Sequence, residues 1–305
     1  MSGKKNHREN TVGAWAKQKL DALESYLIAY QNVMSKQPFR TVFIDAFAGA
    51  GSYEIRGAHE PADDNYESLL DEDDLLIRKE FIEGSPRRAL GLKRKFHSYR
   101  FVDLDPHRVG HLEALVAEYG VANARVVLGD ANAEVQKIAA QFGSWDLRGF
   151  AFLDPYGAHL HWDTLRKLAE TKKFDVIINC PIHMAIDRLV KRDGDISDRN
   201  AKQLDNFFGT REWYEVSYGT SEDLFGPGSQ FKRADAASRQ LNLYVQRLRG
   251  IFSHVSRPSL VRNSRGHPLY YLIWAGEHGR GAPIAEHILG LGSKVTVPRR
   301  KTEPR

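Results

Sequence analysis

Residues 41–53, Thr-Val-Phe-Ile-Asp-Ala-Phe-Ala-Gly-Ala-Gly-Ser-Tyr, constrain this chain more than any other stretch. An apolar run ends in Asp45 and passes at once into small residues and two glycines, Gly49 and Gly51. A run without polar alternation suits a parallel strand covered on both faces. The glycines after it permit a turn that side chains would block, so backbone N–H groups can approach a ligand closely. In open α/β sheets such a turn, at the carboxyl end of the first strand, is where nucleotide-type ligands sit. Asp45, Phe47, Ala48, Gly49 and Gly51 are therefore candidate binding residues. The same spacing also makes a plain turn, so the remaining chain has to decide between the two.

With 305 residues, 42% of them hydrophobic, the chain can hold one large α/β domain or two small ones. A mean hydropathy of -0.48 fits a soluble protein. No apolar run approaches the roughly 20 residues that span a bilayer. The opening MSGKKNHREN is charged and lacks the apolar core of a signal peptide, so a cytoplasmic location is expected. One cysteine excludes a disulfide framework and a cysteine-rich metal site, and no metal is expected. Charge is spread unevenly. Residues 60–74 carry eight acids and no base, and setting them aside from the net +5 leaves the remainder at +13. A basic remainder and a pI near 9.1 are compatible with a polyanionic partner such as RNA or DNA.

Taken in order, residues 11–35 place Trp15, Leu20, Leu23, Leu27, Tyr30 and Met34 three to five apart, which predicts an amphipathic helix capped by Thr11. Trp15 is expected to pack in the core. Residues 54–75 lack helical periodicity and read as a mobile acidic loop without calcium-loop spacing. Ser85 and Pro86 then open a helix continued by Arg87 to Phe96, and Ser85 could also touch a ligand over the first strand. A second strand, Tyr99 to Asp103, ends where an acid accepts from ribose hydroxyls; Asp105 does the same or caps the helix running to Tyr119. A third strand, Ala124 to Asp130, ends in an acid that either accepts from an exocyclic amine or caps the next helix.

The fourth strand runs Gly149-Phe-Ala-Phe-Leu-Asp154-Pro155-Tyr156-Gly157 and ends at the same sheet edge as Asp45. A fifth, Phe174 to Pro181, contains Cys180, which lacks a local His-plus-acid partner and is expected to be a buried inert thiol. Residues 182–249 read as mostly helical and charged, with a Gly/Pro loop at 226–228 and a cap or short strand near 210–218. Phe252 to Val261 and Leu269 to Ala275 are expected to pair as an antiparallel hairpin with a basic loop end.

Five β/α units with glycines after strand one, acids after strands two and three and Asp-Pro-Tyr after strand four, closed by an antiparallel hairpin, resemble the class I S-adenosylmethionine (SAM) methyltransferase fold. The resemblance implies a Rossmann-like sheet of order 3-2-1-4-5-7-6, with strand seven antiparallel, and SAM as cofactor. It divides the chain into an N-terminal helical segment (1–38), a SAM-binding core (39–181), a helical insertion or lid (182–249), the hairpin (250–298) and a basic tail (299–305). Within that class, Val12 to Leu20, Phe43 to Gly49, Gly84-Ser85-Pro86 and Phe152 to Gly157 are similar to the three-Cys-motif partner protein (TcmP) family over nearly the whole chain. That family is named for genomic pairing with a three-cysteine protein resembling radical-SAM iron–sulfur proteins, which implies such a partner. The likeness therefore supports either an enzyme or an accessory subunit that keeps the fold.

The turn Ala48 to Gly51 and the Gly-Ser-Pro helix start also resemble bacterial rRNA adenine-N6 methyltransferases. Those carry Asp-Pro-Pro-Tyr, and this chain, with Asp154-Pro155-Tyr156-Gly157, is one proline short. The likeness implies Asp154, Pro155 and Tyr156 as the catalytic group, which grips an amine and stacks on a flipped base, with Asp45, Phe47, Ala48, Gly49, Gly51, Ser85, Asp103 and Asp130 around SAM. A nicotinamide-dependent dehydrogenase is the weaker alternative, because Tyr53-Glu54 stands where the dinucleotide fingerprint needs its third glycine.

Overall fold

The structure, a computed structural model, describes residues 9–49, 84–155, 157–220, 230–262 and 266–292, with side chains omitted at 9–19 and 291–292. The acidic stretch 60–74, Gly51, Tyr156, the Gly/Pro loop at 226–228, the side chain of Trp15 and the basic tail lie outside the described residues.

Five parallel strands carry the fold: β1 (Arg40–Asp45), β2 (Ser98–Asp103), β3 (Ala124–Leu128), β4 (Leu147–Leu153) and β5 (Phe174–Cys180). The central residues of β1, β4 and β5 are buried on both sides, which is why those strands read as apolar runs, while β3 at the sheet edge is only partly buried. A small separate hairpin, β6 (Tyr218–Thr220) with β7 (Gln230–Lys232), follows. The chain then returns through β8 (His254–Val255), β9 (Ser259–Arg262) and β10 (Pro268–Gly276). In the main sheet the order is β3-β2-β1-β4-β5-β10-β8, with β9 also on β10. Strand β10 runs antiparallel to β5, and β8 and β9 succeed each other along its outer edge.

This is the expected 3-2-1-4-5-7-6 order of the Rossmann-like class I methyltransferase fold, with β10 in place seven and an interrupted strand in place six. The interruption has a local cause. Pro258 has no N–H for the ladder, and Ser256 spans the gap, donating its N–H to the Trp274 carbonyl at 2.9 Å and accepting the Trp274 N–H on Oγ at 3.0 Å.

Each sheet face has its own helical layer. One is covered by α1 (Glu9–Met34), α2 (84–91), α3 (Pro106–Tyr119) and a C-terminal helix (Gly281–Gly292). Leu20, Leu23, Leu27 and Tyr30 of α1 are buried as the spacing requires. The helix begins at Glu9, so Thr11 lies inside it rather than capping it. Helix α2 stops at residue 91 instead of reaching Phe96, whose side chain joins the core. The Lys95 ammonium bonds the Leu90 carbonyl there, satisfying a last-turn acceptor.

The opposite face is covered by α4 (Ala131–Ala140), α5 (Trp162–Glu170), α6 (Asp198–Phe208), α7 (Glu212–Ser217) and α8 (Ala236–Ile251). In α6, Ser197 caps the start, Gly209 closes the end at φ 64°, and Phe207 and Phe208 are buried. Phe207 stacks on Tyr244 of α8 at 4.7 Å, tying the segment after β5 to the sheet layer. Among the described residues no helix is long and apolar enough to cross a membrane.

Candidate functional site

Side chains alternate along a strand, so the last residues of neighbouring strands share a face only when they are in phase. Phe43, Phe101, Phe152 and Ile177 all point into the core beneath α1 and α3. Two residues further along each strand stand Asp45, Asp103, Asp154 and Asn179. Asp45 pairs with Phe101 on one side and Phe152 on the other, and Leu153 pairs with Ile178. Three carboxylates and an amide therefore leave one sheet face at one edge. They do so where β1 is flanked by β2 and β4, the switch point at which open α/β sheets bind ligands.

The backbone beyond β1 folds over this edge. The Ala46 N–H donates to the Phe152 carbonyl at 3.2 Å and the Ala48 N–H to the Val102 carbonyl at 3.0 Å, so the turn is laced to both neighbouring strands. Gly49 sits at φ 66°, a left-handed conformation that suits glycine, and its N–H donates to Asp103 Oδ2 at 2.8 Å. Asp103 Oδ1 accepts the Asp105 N–H at 2.9 Å. Asp105 in turn caps α3 by accepting the His107 N–H at 2.7 Å. Of the two acids after strand two, Asp103 is the one tied to the glycine turn.

Asp45 is fully buried, and among the described residues neither carboxylate oxygen has a hydrogen bond of ordinary geometry. Burial pushes its carboxyl up to about 8; Asp154 and Asp103 push the same way, while the nearby Ser85 hydroxyl and Phe47 N–H partly oppose them. Ser85 is itself buried, inside α2. Next to this group, Asp154 Oδ1 accepts from Asn179 Nδ2, and Asn179 Oδ1 is buried with no donor among the described residues. The edge is therefore rich in acceptors, and a ligand that supplies hydrogens or positive charge is its complement.

The loop after Asp154 is held from below by Asn132. Its Nδ2 donates to the His159 carbonyl at 2.8 Å, and its Oδ1 accepts from the His161 N–H at 2.8 Å and the Thr164 hydroxyl at 3.0 Å. Asp130, at the end of β3, caps α4 by accepting the Ala133 N–H at 2.9 Å. Pro155 is buried, and Phe47 and Ala48 form the turn over β1. Gly51 and Tyr156, the remaining candidates, are outside the described residues. Cys180 is fully buried and burial pushes its thiol upward, as an inert core cysteine requires.

Two features escape the sequence reading. Asn179 is one, although a lone amide at the end of the apolar run Val176-Ile177-Ile178 is a visible signal. The other is a pair of exposed leucines, Leu104 (71% exposed) directly after Asp103 and Leu128 (55%) opposite Asp103 on β3. Exposed leucines beside a buried acid offer an apolar surface for a flat ring.

Neither a family model nor a curated protein matches this chain in sequence. Several solved structures align with the chain. Protein LPL1258 of Legionella pneumophila aligns over 96% of this chain and 95% of its own, at 12% identity and TM-score 0.47. Magnesium protoporphyrin IX methyltransferase (ChlM) of Synechocystis, solved with bound S-adenosylhomocysteine (SAH), aligns over 91% and 90%, at 12% identity and TM-score 0.40. YhhF of Escherichia coli aligns over 82% and 83%, at 12% identity and TM-score 0.34. The strand order itself, β3-β2-β1-β4-β5-β10-β8 with β10 antiparallel, carries the assignment of this chain to the Rossmann-like class I methyltransferase fold.

Proposed function

We propose that this protein is a SAM-dependent methyltransferase whose cofactor lies across the carboxyl edge of β1, β2 and β4. The observation that carries the reading is the gathering of buried acceptors at this edge. Neither oxygen of buried Asp45 has a hydrogen-bond partner of ordinary geometry among the described residues, and the carboxylates of Asp103 and Asp154 stand beside it. SAM is complementary to such an edge: its ribose hydroxyls and ammonium are donors, and its sulfonium is a fixed positive charge that carries an electrophilic methyl group.

The residues divide that ligand between them. Asp103, held by the Gly49 and Asp105 N–H groups, retains lone pairs for the ribose hydroxyls. Leu104 and Leu128 offer the adenine an apolar surface. Asp45 answers the cationic end, and its carboxylate is favoured once positive charge arrives. Asp154, at the end of β4, orients the acceptor group. The test is titration calorimetry of the folded protein with SAM and with SAH. Binding of both with 1:1 stoichiometry supports the reading; absence of heat from either ligand rejects it.

A nucleic acid is the acceptor we propose. Outside residues 60–74 the chain is strongly basic, and Arg262 lies close enough to His183 and Tyr271 to bias both titrations at the carboxyl end of β5. Retention on RNA or DNA that weakens steeply with salt supports this acceptor class. Binding indifferent to salt, or none, counts against it.

A further inference from the structure

Among the described residues around Asp154, the side-chain oxygen of Asn179 is a buried acceptor with no hydrogen bond. Asn179 is 7% exposed and lies at the end of β5, between β4 and β10, where Leu153 pairs with Ile178 and Leu272 with Asn179 itself. A carboxylate can only accept, so the group that Asn179 presents to Asp154 Oδ1 is its Nδ2 amide. This fixes the orientation of the side chain and leaves Oδ1 buried with no donor among the described residues. Most buried polar atoms in folded proteins are satisfied, and an orphaned acceptor costs about 1–3 kcal/mol. Such a cost at a ligand-facing edge marks a place where a ligand completes the bonding.

A purely structural role for Asn179 is served by Nδ2 alone. The orphaned Oδ1 is the part that role does not use. Nearby, His183 Nε2 faces the Tyr271 hydroxyl at 3.4 Å, and the buried Tyr270 hydroxyl lies close to Asp154. Asn179 Oδ1 and Asp154 thus form a pair of acceptors on adjacent strands, joined through one amide.

We infer that Asn179 is a specificity-determining residue: its Oδ1 and the Asp154 carboxylate together receive the hydrogens of a single nitrogen, so the acceptor group of this site is an amino group rather than a hydroxyl. A hydroxyl brings one hydrogen and satisfies one acceptor, whereas an amino group brings two and satisfies both. Rejection of the poorer donor follows from the acceptor it would leave unpaired. The inference rests on the methyltransferase reading above and deepens it.

Sinefungin, a SAM analogue in which an amine-bearing carbon replaces the methylated sulfur, carries an amino group where the methyl would stand and serves as the probe. By calorimetry, wild-type protein binds sinefungin more tightly than SAH. Asn179→Leu loses about tenfold in sinefungin affinity while its SAH affinity stays within about threefold, the scale of one lost charge-assisted hydrogen bond. If both ligands bind and the substitution shifts both equally or neither, the inference is overturned and the methyltransferase reading survives. If neither ligand binds folded wild-type protein, both fall. Should Asn179→Leu not fold, a wild-type crystal structure with sinefungin decides: the amine within about 3.2 Å of Asn179 Oδ1 supports the assignment, and a separation beyond about 4 Å overturns it.

Discussion

Asp103 Oδ2 accepts the N–H of Gly49 at 2.8 Å, so the acid that ends the second strand holds the turn that follows the first. The bond spans 54 residues of sequence and ties the ends of β1 and β2 together. It also explains why Gly49 is a glycine. At φ 66° the backbone directs its N–H at Asp103 from a conformation that a side chain disfavours.

Gly49→Ala is accordingly expected to cost about 1–2 kcal/mol of stability from backbone strain and to weaken SAH binding. Asp103→Ala leaves the Gly49 and Asp105 N–H groups without their acceptor and is expected to reduce SAH affinity at least tenfold. Chemical denaturation and calorimetry on the same samples separate the two effects.

Asp45 makes stability depend on pH in a definite direction. Its carboxyl titrates near 8 in the folded protein and near 3.9 when unfolded. Between those values the folded state holds a proton that the unfolded state has released, so ligand-free stability falls as pH rises, by up to about 1.4 kcal/mol per pH unit. Asp175, pushed up to about 7 by burial at the other end of the sheet, adds a fall in the same direction that ends earlier. Asp45→Asn is therefore expected to flatten the profile most clearly between about pH 7 and 8, in urea melts across pH 5–8.5. A variant that retains the full slope there contradicts the role given to Asp45.

The same group couples ligand binding to protons. A cation bound beside Asp45 favours its carboxylate, so SAM binding near pH 7 is expected to release protons. Calorimetry in buffers of different ionisation heat measures the number, and Asp45→Asn is expected to lower it.

Asn132 braces the loop beyond Asp154 through three hydrogen bonds, to His159, His161 and Thr164. Asn132→Ala is expected to cost about 2–3 kcal/mol, since it strips a buried hydroxyl and two backbone groups of their partner. Phe43→Ala, which empties the fully buried centre of the ring cluster with Phe96, Phe101 and Phe150, is expected to cost about 3–5 kcal/mol. The two differ in kind. The Asn132 variant is expected to lower SAH affinity at temperatures where it remains folded, and the Phe43 variant to act through stability alone.

Much of this was legible in the sequence because parallel strands announce themselves. Phe43-Ile44-Asp45 and Phe152-Leu153-Asp154 are apolar runs that end in acids, and the position of an acid at a strand's end follows once the strand is recognised. Local signals were less faithful where long-range packing takes over. Thr11 and Ser85 look like helix caps, yet both lie within helices, and α2 stops at residue 91 because Phe96 is drawn into the rings around Phe43. The partnership of Asn179 with Asp154 joins residues 25 apart, and the orphaned Oδ1 emerges only once the Nδ2 partner is known. Leu104 and Leu128 read as strand-end apolar residues; their exposure is a property of the assembled edge.

The central claim is that one crevice gathers both ends of the cofactor, and a crystal structure of the protein with SAH tests it most directly. The account predicts ribose hydroxyls on Asp103, the amino-acid end over Asp45 and the Gly49 turn, and the sulfur facing Asp154 and Asn179. SAH bound away from the carboxyl edge of β1, or a ribose without contact to Asp103, contradicts it.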